Sequence, residues 1–194
     1  MKFDVVLACV GGQGGLSVAS IIAQAALEEG FFVKQTEVHG MSQRGGAVVA
    51  NLRLSDRPVA SPLIAQGGAS LLLSMEPLEA LRHLSYLGAE GTLITATTPV
   101  VNIPDYPDVQ QLLDRIRSFP RSLLVEAEPL ARKAGSAAAG NVVMAGAASH
   151  LLPIRPELLQ RSVERFFGRK GARVVELNLR AFTAGRQAFE QHGA

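Results

Sequence analysis

Along the first part of the chain the apolar positions change period twice. KFDVVLACV, residues 2–10, is a nearly unbroken apolar run of strand length, interrupted by one acid at Asp4. The run stops at the glycines of GGQGG. Beyond them apolar side chains recur at Leu16, Ala19, Ile22, Ala23 and Ala26, three and four apart, which predicts a helix stopping at Gly30. FFVKQTEV (31–38) returns to an alternating pattern and predicts a second strand, and GAVVANLRLS (46–55) predicts a third.

The same reading continues to the end. ASLLLSM (69–75) predicts a buried strand, and EPLEALRHLSYLG (76–88) a helix with Pro77 tolerated in its first turn. GTLITAT (91–97) predicts another strand, followed by a loop punctuated by Pro99, Pro104 and Pro107. A helix is expected over 109–118 and a last strand at SLLVEA, 122–127. Helices then follow around 129–134, 141–152, 157–167 and 173–191. Strands alternating with helices predict an α/β fold, a three-layer single domain over residues 1–194 with a largely parallel central sheet and a helical C-terminal third. No repeat, charge block or linker divides it.

Composition narrows the classes. A net charge of +2 gives little electrostatic drive toward nucleic acid. Arginine supplies 15 of the 19 basic residues, a bias that suits fixed contacts to carboxylates or phosphates. No apolar run reaches the roughly 18 residues of a membrane span. The opening segment carries Asp4 and is too short in apolar residues for a secretory leader, so a cytoplasmic protein is expected. The single cysteine, Cys9, excludes an internal disulfide and the four-thiolate ligation of an iron–sulfur cluster, and no Cys/His spacing fits zinc. No metal site is expected on this chain.

Two stretches carry candidate chemistry. GGQGG, between strand and helix, is the setting in which backbone N–H groups receive an anion. Glu37 even falls about where a dinucleotide site keeps its ribose-binding acid. The GxGxxG fingerprint fails, however: one alignment puts Cys9 at its first position and the other Ser17 at its last. A tight turn with close helix packing therefore ranks ahead of a nicotinamide site, with Gln13 placed at the sheet edge where such folds bind ligands. The second stretch, EVHGMSQRGG (37–46), is too polar for a core strand and too elaborate for an ordinary turn.

Taken in order, GGQGG, EVHGMSQRGG, SMEPLEALR, AGNVVMAGAASHLLP and the closing NLRAFTAG resemble the gamma-type subunit or domain of 2-oxoacid:ferredoxin oxidoreductases, most like the free-standing beta subunit of the indolepyruvate type. The resemblance spans nearly the whole chain, and HGMSQRGG at this distance from GGQG is its most specific part. It implies oxidative decarboxylation of a 2-oxoacid, indolepyruvate or another aryl pyruvate, with electrons passing to ferredoxin and the acyl group to coenzyme A. Thiamine diphosphate, its Mg and the iron–sulfur clusters are then expected on a larger partner subunit, because this chain has one cysteine and no GDG followed by an asparagine pair. The chain alone is expected to be inactive, and a homodimer of the isolated chain is allowed. One departure stands out: Cys9 replaces the glycine that usually opens the family's glycine loop, and is expected to be a small buried hydrophobe.

On this resemblance Gly11, Gly12, Gln13, Gly14, Ser42, Gln43 and Arg44 are the candidate cofactor- or substrate-binding residues, with His39 and Arg44 the candidates for direct chemistry. Arg44 would pair with a carboxylate or phosphate, and His39 would donate or move a proton. The plainer alternative, that His39 and Arg44 tie their loop to Glu37 and nearby carbonyls, is favoured for the chemistry itself, since the cofactor performs it. Elsewhere structural roles are expected. Glu76 and Glu79 favour a helix start, with Glu76, at a strand end, also placed where it could reach the crevice; Asn141 caps the following helix, and His150 packs. Arg161, Arg165 and Arg169 form a solvated stripe balanced by Glu157 and Glu164. The small residues Ala145–Ala148 allow close helix contact. Two other function classes stay open: a self-sufficient nucleotide-binding oxidoreductase and a non-catalytic interaction module of the same fold.

Overall fold

The computed structural model describes residues 1–39 and 45–192, with the backbone alone at His39 and His192. Six strands and seven helices follow in the order β1 (Lys2–Val10), α1 (Gly15–Glu29), β2 (Phe32–His39), β3 (Ala47–Ser55), β4 (Ala69–Ser74), α2 (Pro77–Arg82), β5 (Leu87–Ala96), α3 (Val109–Arg117), β6 (Ser122–Val125), α4 (Ala127–Ala134), α5 (Gly140–Ala148), α6 (Pro156–Phe167) and α7 (Ala172–His192). The strands form one sheet in the order β2-β3-β1-β4-β5-β6. Only β3 runs against the others, so the β1–β4, β4–β5 and β5–β6 pairs are parallel and β3 is antiparallel to both neighbours.

The pleat of β1 explains the layers. Val5, Leu7 and Cys9 point to one face, where α1, α5 and α7 meet the sheet and α4 and α6 pack against those helices. Val6 and Ala8 point to the other, against Leu72, Ala80, Leu93 and Ile116 beneath α2 and α3. β1 is buried on both faces, which is why its sequence reads as a continuous apolar run rather than an alternation. Asp4, 1% exposed, is tolerated because Arg53 Nε donates to Oδ1 at 3.0 Å and Lys2 Nζ lies 2.8 Å from Oδ2. Arg53 also donates to the carbonyls of Ser61 and Leu63, so one buried carboxylate anchors the 56–68 connection.

The largest departure from the expected elements lies at 76–88. Helix α2 stops at Arg82, a 3₁₀ turn covers Leu84–Tyr86, and β5 already begins at Leu87, opposite Ala69. Apolar spacing in LRHLSYLG suits a helix, but the main chain around β4 claims the end of the segment: a Cβ at Gly88 would lie 3.1 Å from the carbonyl oxygens of Ala69 and Gly67. Glycine there lets two backbones meet, and strand pairing overrides local periodicity.

Small residues do the same work between helices. α5 and α7 cross with Gly146 against the Phe182 carbonyl and Gly185 against the Val143 carbonyl; an added Cβ would sit 2.0 and 1.8 Å from those oxygens. The expectation for Ala145–Ala148 holds, and the contact is internal. His150 packs as expected, stacked on Phe189 at 4.8 Å between ring centroids. The arginine stripe differs from expectation: Arg165 pairs with Glu28 of α1, tying α6 across to α1, and Arg155 Nε reaches Glu29 at 2.9 Å. Arg161 and Arg169 are exposed.

Candidate functional site

The chain leaves β1 for a helix on one face of the sheet and leaves β4 for a helix on the other. In an open α/β sheet that switch opens a crevice beyond the C-terminal ends of the two strands. The glycine turn occupies it. Gly12 and Gly14 hold φ of 103° and 79°, left-handed values that a side chain would strain. Gln13 is the clasp: its Oε1 accepts from Val10 N at 2.8 Å and its Nε2 donates to Met75 O at 2.9 Å. The amide that sequence reasoning placed at the crevice is thus spent joining the ends of β1 and β4, although Gln13 still lines the hollow.

That hollow is a cavity of about 510 Å³ lined by Gly12, Gln13, Thr98, Pro99, Glu128 and Asn141, among others. A smaller one of about 230 Å³ lies behind the turn, against Cys9, Leu16 and Val48. Three helices, α1, α4 and α5, begin here, and none has a side-chain cap on its first turn. Their dipole ends favour an anion, most openly at α4, since the Gly140 N–H that starts α5 already donates to Ala137 O and the Gly15 N–H that starts α1 to the Cys9 thiol. Of the described lining residues Glu128 alone is titratable, and Arg132 one turn along α4 pairs with it.

Asn141 corrects its expected role. It lies inside the first turn of α5 rather than before it, makes no cap, and donates from Nδ2 to Gly14 O at 3.2 Å. The 3₁₀ turn Ala137–Ala139 delivers the chain into α5 and is itself capped by Ser136, leaving Asn141 free to brace the glycine turn across 127 residues of sequence. Gly14 has no room for a side chain, since a Cβ would meet Asn141 Nδ2 at 2.4 Å.

The loop after β5 forms the opposite wall, and sequence reasoning missed its role. Glu76, 1% exposed, caps α2 by accepting from Glu79 N at 2.8 Å. Its other oxygen accepts from Val100 N at 3.4 Å and from the Tyr106 hydroxyl. Burial, together with that bond to a carboxylate, pushes the Tyr106 phenol well above its ordinary range. Asn102 of the same loop donates to Gly45 O at 2.7 Å. The one available signal was positional: this proline-rich loop follows the C-terminal end of a parallel strand.

Gly11, Gly12, Gln13 and Gly14 are therefore brought together at the crevice. Gly40, Ser42, Gln43 and Arg44 lie outside the described residues. The described residues on either side are at the crevice edge: His39 ends β2 opposite Val48, and Gly45 and Gly46 exchange hydrogen bonds with Gly11 at 3.3 and 2.8 Å. The dinucleotide geometry is absent at Glu37, because β3 lies between β2 and β1 and places that acid two strands from the glycine turn.

Cys9 is 4% exposed, with its Sγ 2.6 Å from where a Gly15 Cβ would stand, and burial pushes its thiol up to about 11. A single buried, protonated thiol cannot ligate an iron–sulfur cluster. Among the described residues no group of three or more His, Cys, Asp or Glu side chains could hold a metal ion. No described helix is long and apolar enough to cross a membrane.

Residues 4–188 match the family described as pyruvate ferredoxin/flavodoxin oxidoreductase. The indolepyruvate oxidoreductase subunit IorB of Archaeoglobus fulgidus is 35% identical over 194 residues, covering 95% of this chain and 94% of that one. Its counterpart in Pyrococcus horikoshii is 32% identical over 200 residues, covering 98% and 97%. Among solved structures, 2-oxoglutarate:ferredoxin oxidoreductase from Magnetococcus marinus, with 2-oxoglutarate, coenzyme A and succinyl-CoA bound, superposes with a TM-score of 0.79 at 20% identity, over 98% of this chain and 31% of that one. The gamma subunit of a keto/oxoacid ferredoxin oxidoreductase from Geobacter sulfurreducens superposes with a TM-score of 0.73 at 21% identity, over 97% and 99%. At these two identities the likeness is one of fold.

Proposed function

The chain belongs to the pyruvate ferredoxin/flavodoxin oxidoreductase family and is a subunit of a 2-oxoacid:ferredoxin oxidoreductase; from that premise we propose that its glycine-turn crevice completes an active site whose cofactors sit on a larger partner subunit. The reaction is oxidative decarboxylation of an aryl pyruvate, indolepyruvate first, to the acyl-CoA. Thiamine diphosphate and iron–sulfur clusters on the partner supply the carbanion and redox chemistry, and electrons leave to ferredoxin through the complex in the cytoplasm. This chain contributes walls and charge: the glycine turn, the starts of α4 and α5, and Arg44 from the adjoining loop.

The observation that carries this reading is the cavity of about 510 Å³ into which the starts of α4 and α5 open, beside the glycine turn to which Gly45 and Gly46 bond. Both co-substrates are anionic, a carboxylate in the oxoacid and phosphates in coenzyme A, and helix N-termini with an arginine receive such groups. The self-sufficient nucleotide-binding alternative loses ground, because Gln13 fills the turn and Glu37 stands away from it.

The test is Arg44→Ala in the reconstituted two-subunit enzyme. Loss of a charge-assisted contact of about 2 kcal/mol lowers kcat/KM for oxoacid or coenzyme A roughly thirtyfold, with assembly intact. Unchanged turnover together with unchanged assembly would overturn the proposal.

A further inference from the structure

Strand β2 closes the sheet on one side, and none of the described strands pairs with its outer edge. An edge of this length is a template for another strand. On β2 the register places Phe32, Lys34, Thr36 and Val38 on the same face as Ser55, Arg53, Asn51 and Val49 of β3. The helices of that layer, α2 and α3, pack chiefly on β1, β4, β5 and β6, and on β2 it is the 56–68 connection that meets this face, with Lys34 Nζ donating to Ala60 O at 3.0 Å. Phe32 and Val38, near the two ends of the strand, are left 48% and 55% exposed.

We propose that β2 is a homodimer interface, pairing antiparallel with β2 of a second copy about a two-fold axis through Gln35, so that the two sheets run on as one. Directly opposed residues in an antiparallel pair share a face, so the axis must pass through a residue rather than between two. Through Gln35 it sets Phe32 of each copy opposite Val38 of the other, which covers both exposed apolar side chains twice over. Lys34 then faces Thr36, Val33 faces Glu37, and the glutamine amides meet on the axis. No like charges are opposed.

The neighbouring registers fail on charge or on cover. An axis through Lys34 opposes two ammonium groups, and one through Glu37 opposes two carboxylates; like charges directly opposite are destabilising. An axis through Thr36 sets Phe32 beyond the end of the partner strand. This self-complementarity is what selects a second copy over an unrelated strand, since an isologous interface must match itself. The proposal is independent of the crevice reading.

The experiment uses the isolated chain and sedimentation equilibrium in the micromolar range, with single-cysteine probes under mild oxidation; Cys9 is buried and stays silent. A dimer is expected. Gln35→Cys cross-links it through a disulfide, because opposed Cβ atoms on the axis lie within reach. Glu37→Cys, on the same face but about four residues from its own copy, does not. Phe32→Ser raises the dimer dissociation constant on the order of tenfold, each lost contact counting twice.

A monomer at all concentrations overturns the proposal, as does cross-linking at Glu37→Cys without cross-linking at Gln35→Cys. So does a Gln35→Cys disulfide formed, in the reconstituted enzyme, with the larger subunit instead of another copy. A monomer that still supports turnover would sink this interface and leave the crevice reading standing.

Discussion

Replacing Gly185 by alanine adds one methyl group where the main chain of α5 already stands. The new Cβ would lie 1.8 Å from the Val143 carbonyl oxygen, 2.8 Å from its carbon and 2.9 Å from Ala147 N. None of these is the end of a flexible side chain, so the two helices must separate by about 1.5 Å to restore van der Waals contact. That gap falls in a seam where Val143, Ala147, Ala181 and Phe182 have no exposed surface at all. Overpacking of this kind costs about 1–3 kcal/mol, and contact with backbone on the facing helix puts it at the upper end. The better helix propensity of alanine returns about 1 kcal/mol at most. A net loss of about 2 kcal/mol lowers Tm by roughly 4–8 °C in a chain of this size. Thermal and urea melts of the purified chain, followed by circular dichroism, measure it. Gly168→Ala is the internal control: its φ of −52° suits any residue and nothing lies within 4 Å of the new Cβ, so it should be neutral or stabilise by about 0.5 kcal/mol. If Gly185→Ala fell within about 0.5 kcal/mol of the parent, the close crossing of α5 and α7 would be refuted.

Three further outcomes follow from buried polar groups. Cys9 should make the fold alkali-sensitive: its thiol ionises near 9.0 when unfolded and near 11 when folded, so the native state holds the proton longer and stability falls as pH rises between those values. The loss approaches 2–3 kcal/mol above that window, on the order of 1.4 kcal/mol per unit, and urea melts at pH 8 and pH 11 should show it shrinking in Cys9→Ala. Asp4→Ala strands the Arg53 guanidinium and should cost about 3 kcal/mol, read as a lower urea midpoint, with much of it recovered in Asp4→Leu/Arg53→Met. Tyr106→Phe removes one donor from the Glu76 carboxylate and should cost about 1.5 kcal/mol. Its specific signature is faster hydrogen exchange at the Val100 amide, on the wall of the cavity.

Most elements could be read from the chain because each has a one-dimensional cause. The apolar run 2–10 has strand length and ends in glycine, α1 repeats its apolar positions every three or four residues, and Gly30 takes the left-handed φ that ends it. Glu76 was legible as a helix-start acid for the same local reason. The site was half legible. Gly12 and Gly14 mark a turn that glycine permits, and the HGMSQRGG run marked the neighbouring loop, whereas the Val100 wall offered only its place after a parallel strand and Asn141 read as a cap.

What the linear order could not supply was partnership across long separations. Asn141 looked like a cap because an asparagine before an apolar helix usually is one; its role was set by Gly14, 127 residues earlier, arriving at hydrogen-bond distance. LRHLSYLG looked helical until the Ala69 carbonyl crowded the space a side chain at Gly88 would need. Nothing in β3 announces that it inserts antiparallel between β1 and β2, the step that moves Glu37 away from the glycine turn. Periodicity and turn chemistry are properties of a few consecutive residues and are written in the chain; strand order, helix crossings and shared hydrogen bonds are properties of pairs, and exist only once the core has closed.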